Sequence, residues 1–219
     1  MKNKFMVIVC SFLLTFSLNA FAQEDSSAKV AQILGNTIHV TDLEIDLRFL
    51  KGYKRSYPGL SEDDVLDKMR ADKLTSIIWK RIIQKLPDEH NLEPTAEEVE
   101  SFTEAMHRFS SESSTETLTS EMKEASFRAN RDVVKTYKIS KYLYETYGGT
   151  VIFQQGNPHE PVGAYRKLLE EYQAQGNFKI YNPKYEKAFW AYYLRKHPMV
   201  IPEDKVDFSK PWWEKAQVE

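Results

Sequence analysis

The sequence predicts a mainly α-helical protein with one short β-hairpin near its start. Three observations lead there. Long stretches carry apolar residues every three or four positions, and several of them open on helix-capping residues. One pair of β-branched runs flanks Gly35-Asn36. The chain has 219 residues, 42% of them hydrophobic and 28% charged, which suffices for a real core in one domain with or without an extension. Its 30 basic and 32 acidic side chains leave a formal charge of −2, so a strongly basic nucleic-acid binder is excluded. The 12 Phe, 12 Tyr and 4 Trp exclude wholesale disorder, because so many rings need burial.

Residues 1–22 (MKNKFMVIVCSFLLTFSLNAFA) read as a signal peptide. Lys2 and Lys4 form its positive start, Phe5 to Leu18 its apolar run, and Ala20-Phe21-Ala22 a small-x-small cleavage site. Ser11, Thr15 and Ser17 interrupt a run already too short to span a bilayer comfortably. Cleavage after Ala22 would remove Cys10, the only cysteine, and with it any disulfide, thiol nucleophile or thiolate metal site. It would leave 28 basic against 32 acidic groups. No later stretch is apolar enough for a membrane span, so the periplasm is the expected compartment, with no stable membrane insertion.

After a polar start, Val30 to Leu34 and Thr37 to Val40 flank Gly35-Asn36 as a hairpin. Thr41-Asp42-Leu43-Glu44 matches a capping box, and Leu43, Leu47 and Leu50 continue at helical spacing until Gly52. Ser61 starts a long helix that Pro87 halts. Along it Leu74, Ile78, Ile82 and Leu86 form one stripe, with Trp79 and Ile83 beside it. Thr95 and Glu98 cap a helix whose apolar face is Val99, Phe102, Met106 and Phe109. Ser110 to Ser120 holds eight Ser or Thr and reads as a flexible connection. Helix then runs to Tyr147 and ends at Gly148-Gly149. Thr150 to Gln154 suits a short strand, while Pro161 and Asn182-Pro183 open two further helices. Four features after residue 197, namely Pro198, Pro202, Pro211 and Trp212-Trp213, read as an extended arm.

The stretch from Val30 to Met106 resembles the N-terminal domain of the SurA-like periplasmic chaperone family. The resemblance lies in VAQILGNTIHVTDLEIDL, in the long helix VLDKMRADKLTSIIWKRIIQKL and in EPTAEEVESFTEAM, about one third of the chain. It implies a helical module over residues 23–149 that binds unfolded or extended polypeptides, with outer-membrane proteins as clients. Residues 150–219 then form an aromatic-rich helical region with an extended tail, and the stretch from Thr136 to Glu219 either packs on the first half or forms its own lobe. Many relatives carry a parvulin-type prolyl isomerase domain. Residues 121–219 show no such pattern, so the expectation is a non-catalytic chaperone or assembly factor. The alternatives are a divergent prolyl isomerase and a dedicated subunit of an envelope complex tethered through Trp212-Trp213.

Seventeen aromatics lie between Tyr137 and Trp213, fit either to fill a core or to line a groove. The candidate client groove comprises Trp79, Phe102, Met106 and Phe109, whose alternative role is ordinary core. His39, His90, His107, His159 and His197 show no metal-ligand spacing, and no nucleophile motif is present. No cofactor, metal or nucleic-acid partner is therefore expected.

Overall fold

The computed structural model describes residues 28–109 and 119–215, over which the chain is mainly helical with two small antiparallel sheets. The signal-peptide reading of 1–22, the polar start before Ala28 and the Ser/Thr-rich stretch 110–118 lie outside the described residues. No helix among those described is long and apolar enough to cross a membrane.

Strands β1 (Lys29–Ile33) and β2 (Asn36–His39) form the expected hairpin, but Ile33 sits opposite Asn36, so the loop is Leu34-Gly35 rather than Gly35-Asn36. Both loop residues have positive φ, +48° and +79°, which gives the turn whose twist matches the strands. Leu34 is held there because its N–H donates to the Asn177 carbonyl at 2.6 Å while its side chain packs on the core. The helix expected from Thr41 to Gly52 does not form. Two 3-10 turns, Val40–Leu43 and Leu47–Phe49, precede α1 (Leu50–Ser56), which runs through Gly52. Asp42, not Glu44, closes the cap, accepting from the His39 N–H at 2.8 Å. Leu43 is drawn into the core, and the chain turns away so that Leu47 is left 64% exposed.

Helix α2 (Glu62–Ile83) is capped by the Ser61 hydroxyl, which accepts from the Asp64 N–H at 3.1 Å. It buries Leu74, Ile78 and Ile82 completely. Pro87 does not halt it. The helix ends at Ile83, and Pro87 lies in the first turn of α3 (Leu86–His90), where a missing N–H costs nothing. Helix α4 (Ala96–Phe109) opens on the predicted reciprocal cap: Thr95 N–H donates to Glu98 at 2.7 Å and Glu98 N–H to the Thr95 hydroxyl at 3.2 Å. Helix α5 (Ser120–Tyr147) is capped by Thr119 and ends at Gly148, whose φ of +61° few other residues adopt.

Beyond it come β3 (Val151–Gln154), β4 (Asn157–Glu160), α6 (Val162–Ala174), β5 (Phe178–Ile180), α7 (Pro183–Leu194), β6 (Val200–Ile201) and α8 (Trp212–Lys215). One sheet has the order β2-β1-β5 and the other β4-β3-β6. The main core joins both halves of the chain, with Ile33, Leu43, Ile78 and Ile82 meeting Leu143, Leu169, Phe178 and Phe189. A second core holds Phe102, Val134, Tyr137, Val151, Phe208 and Trp213. Helix α5 serves both, Leu143 facing one and Tyr137 the other.

The C-terminal arm is not free. Trp213 is 2% exposed and meets Phe102 edge-on at 5.0 Å and Tyr137 at 5.2 Å. The Tyr137 hydroxyl donates to the Phe208 carbonyl at 3.1 Å, and Lys215 pairs with Asp207 at 2.7 Å.

This packing makes three substitutions informative. Gly163 in α6 lies against the backbone of Gly149-Thr150, where an added Cβ would overlap the Thr150 nitrogen and approach Gly149 C to 2.9 Å. Gly163→Ala should therefore lower stability to urea by about 2 kcal/mol or more. Gly52→Ala, whose Cβ meets nothing within 4 Å, should raise it by about 0.5–1 kcal/mol. Trp213→Ala should cost about 3–5 kcal/mol and expose the segment after Pro202 to proteolysis, measurable by limited digestion and mass spectrometry.

Candidate functional site

Helices α2 and α7 pack side by side and leave a cleft of about 360 Å³ between them. From α2 come Asp72, Thr75, Ser76 and Trp79, residues spaced to share one helix face. From α7 come Ala188, Phe189, Tyr192 and Tyr193, spaced in the same manner. Glu160 enters from the end of β4 and Tyr165 from α6.

The floor is fixed by polar groups. The buried Ser140 hydroxyl lies 2.8 Å from the Tyr165 hydroxyl and accepts from Asn157 Nδ2 at 3.1 Å. This ties α5, α6 and β4 together beneath the cleft. Above it the Trp79 and Tyr165 rings meet at 4.6 Å, tilted by 54°. Phe189 is fully buried and backs the opposite wall.

Two carboxylates line the opening, and they differ. Asp72 is saturated: it accepts from the Tyr53 hydroxyl at 2.8 Å and from Lys68 at 3.0 Å. Burial, and then that hydrogen bond, push Tyr53 up to about 12. Glu160 is less satisfied. Its Oε1 accepts from the Tyr192 hydroxyl at 2.8 Å, while Oε2 takes no hydrogen bond from the described residues and keeps contact with solvent. Burial pushes the Glu160 carboxyl above the ordinary range, opposed by the Tyr192 hydrogen bond and by the charge of Arg195. Tyr192 is itself held in place by Gln154 Nε2 at 2.9 Å, by the Arg195 guanidinium 5.0 Å from its ring centre, and by the edge-on ring of His197.

The four residues proposed from sequence are separated. Trp79 forms a wall of the cleft. Phe102 is 4% exposed and packs with Trp212 and Trp213, and Met106 lies against the same second core. Phe109 is 49% exposed at the far end of α4. The reason is that α4 packs on α5 and α8 whereas α2 packs on α7. Met122 and Phe127 at the start of α5 are also about half exposed, at 52% and 47%.

Glu160, Tyr165, Tyr192 and Tyr193 were not singled out from sequence as site residues. A signal for Glu160 was present: Gln155-Gly156 between Val151–Gln154 and Asn157–Glu160 has the form of a two-residue hairpin loop, and that hairpin delivers Glu160. Among the described residues no group of three or more His, Cys, Asp or Glu side chains is placed to hold a metal ion. The cleft offers ring faces, fixed hydroxyls and one half-buried carboxylate, a chemistry suited to gripping a side chain.

The raised affinity of Glu160 for a proton has a consequence for stability. Burial makes its ionisation cost more in the folded chain than in the unfolded one, so stability is lost as pH rises through the carboxylate range. Glu160→Gln, which keeps an acceptor for Tyr192 and never ionises, should raise the melting temperature at pH 7. The gain should vanish near pH 3, where the wild-type group is protonated in both states, as calorimetry across pH would read. No protein-family model, curated protein or solved structure matches this chain.

Proposed function

We propose that this protein is a non-catalytic chaperone or assembly factor of the periplasm, which binds unfolded or extended segments of other proteins. Outer-membrane proteins are the client class. The observation that carries this reading is the cleft between α2 and α7, half-open and walled by Trp79, Tyr165, Phe189, Tyr192 and Tyr193. Its size fits one or two side chains of an extended segment rather than a folded surface. The exposed Phe109, Met122 and Phe127 on the α4–α5 pair offer a second apolar contact for a longer segment. The export signal and the SurA-like opening of the sequence agree with both.

The energetics favour weak, reversible capture. A side chain seated in the cleft removes about 150 Å² of apolar surface from water, worth about 4 kcal/mol before any cost. Ordering the segment and losing its freedom offset much of that, so a single site holds a client no tighter than about 1 mM, and several contacts together hold it tighter. Capture of that strength permits release without an energy source.

The test is aggregation of an unfolded outer-membrane β-barrel protein diluted from denaturant, followed by light scattering. A several-fold molar excess of this protein should suppress the signal. Trp79→Ala should lose about half or more of that suppression while retaining the wild-type circular dichroism, since truncating a central aromatic commonly removes a dominant contact. No suppression by the wild type would overturn the proposal.

A further inference from the structure

We propose that the α2–α7 cleft is selective for a basic side chain, lysine or arginine, carried by the bound segment. This deepens the reading above and rests on it.

Charge and ring chemistry point the same way. Among the described residues the cleft is lined by two carboxylates, Asp72 and Glu160, and by no Lys, Arg or His. Five aromatic rings surround them, among them Trp79, whose indole is the strongest of the natural ring partners for a cation. A cation entering the cleft meets a lining that includes the Trp79 and Tyr193 rings and the Glu160 carboxylate. The long aliphatic part of lysine or arginine covers the apolar wall while the charged head travels on to the acid.

The two acids divide the work. Asp72 is already paired with Lys68 and accepts from the Tyr53 hydroxyl, so it shapes the entrance. Glu160 has Oε2 open, and that atom is the anchor. The neighbouring Arg195 shows the same chemistry within the chain. Its guanidinium lies over the ring of Tyr192, whose hydroxyl donates to Glu160 Oε1. A basic side chain from a client would use the other oxygen and the other rings. An apolar side chain of equal length would fill the same space but cover Glu160 without pairing it, and a buried unpaired carboxylate is costly. An acidic side chain would add like charge. Selectivity therefore comes as much from what the site rejects as from what it holds.

The experiment uses three fluorescein-labelled peptides of one extended, uncharged host sequence, differing only at a central lysine, norleucine or glutamate. Binding to the full-length protein is read by anisotropy. The lysine peptide should bind about tenfold more tightly than the norleucine peptide, with the glutamate peptide weakest. Glu160→Gln should weaken the lysine peptide about tenfold and bring it level with norleucine. Trp79→Leu, which keeps an apolar wall but removes the ring, should also reduce the lysine preference. Equal binding of the lysine and norleucine peptides overturns the selectivity and leaves peptide capture standing. A lysine preference that persists undiminished in Glu160→Gln overturns it as well, since the attraction would then come from the overall negative charge. Failure of all three peptides to bind overturns peptide capture at the cleft along with its selectivity.

Discussion

The antiparallel pairing of β1 with β5 governs the arrangement of this molecule. Ala31, Gln32 and Ile33 lie opposite Ile180, Lys179 and Phe178, so the start of the described chain is joined to a segment close to its end. That pairing sets α7, which follows β5 directly, against α2, and places Phe178 and Phe189 in the same core as Ile33 and Ile78. A contact of such long sequence separation is entropically expensive to form. It is stable here because the α2 stripe and the C-terminal aromatics bury one another in a single core. The cleft is a by-product of this geometry: α2 and α7 pack against each other, and Glu160 and Tyr165 line the space left beside them.

Aromatic side chains take two distinct roles. In the second core, Phe102, Tyr137 and Trp213 pack edge-to-face with centroid separations of 5.0–5.2 Å, which seals the C-terminal arm onto α4 and α5. In the cleft, Trp79, Tyr192 and Tyr193 are only partly buried and keep their faces within reach of solvent. The difference is one of neighbours rather than residue type. Helix α8 packs on α4, whereas among the described residues the α2–α7 seam keeps a cleft at Trp79. Apolar area left uncovered beside an incompletely satisfied carboxylate is energetically unfavourable for the isolated chain, and such places are where ligands are held.

Local chemistry in the sequence translated into structure wherever the residues involved were adjacent. The Thr95–Glu98 cap, the Ser61 cap, Asn182-Pro183 at the head of α7 and Gly148 at the end of α5 all stand where their residue types place them. Local reading failed where a distant partner outweighed it. Thr41 to Gly52 carries a helical pattern, yet burial of Leu43 against the hairpin breaks the run into short turns. Strands β4, β5 and β6 are four, three and two residues long, too short to show a period, and β5 and β6 exist through pairing with β1 and β3. Trp79, Phe102, Met106 and Phe109 share composition and helical spacing, but a helix wheel says nothing about which neighbour its face meets.

By itself the sequence determined the helical class, most helix starts, the opening hairpin and the α2 stripe, because these follow from caps, turn residues and periodicity within a few residues of one another. Tertiary structure alone decided that the aromatic-rich half completes the first core, that Trp213 is a core residue, and that Trp79 lines one cleft with Glu160 and Tyr192. These depend on contacts between residues some eighty to one hundred and fifty positions apart, and such contacts are set by global packing, which no local pattern encodes.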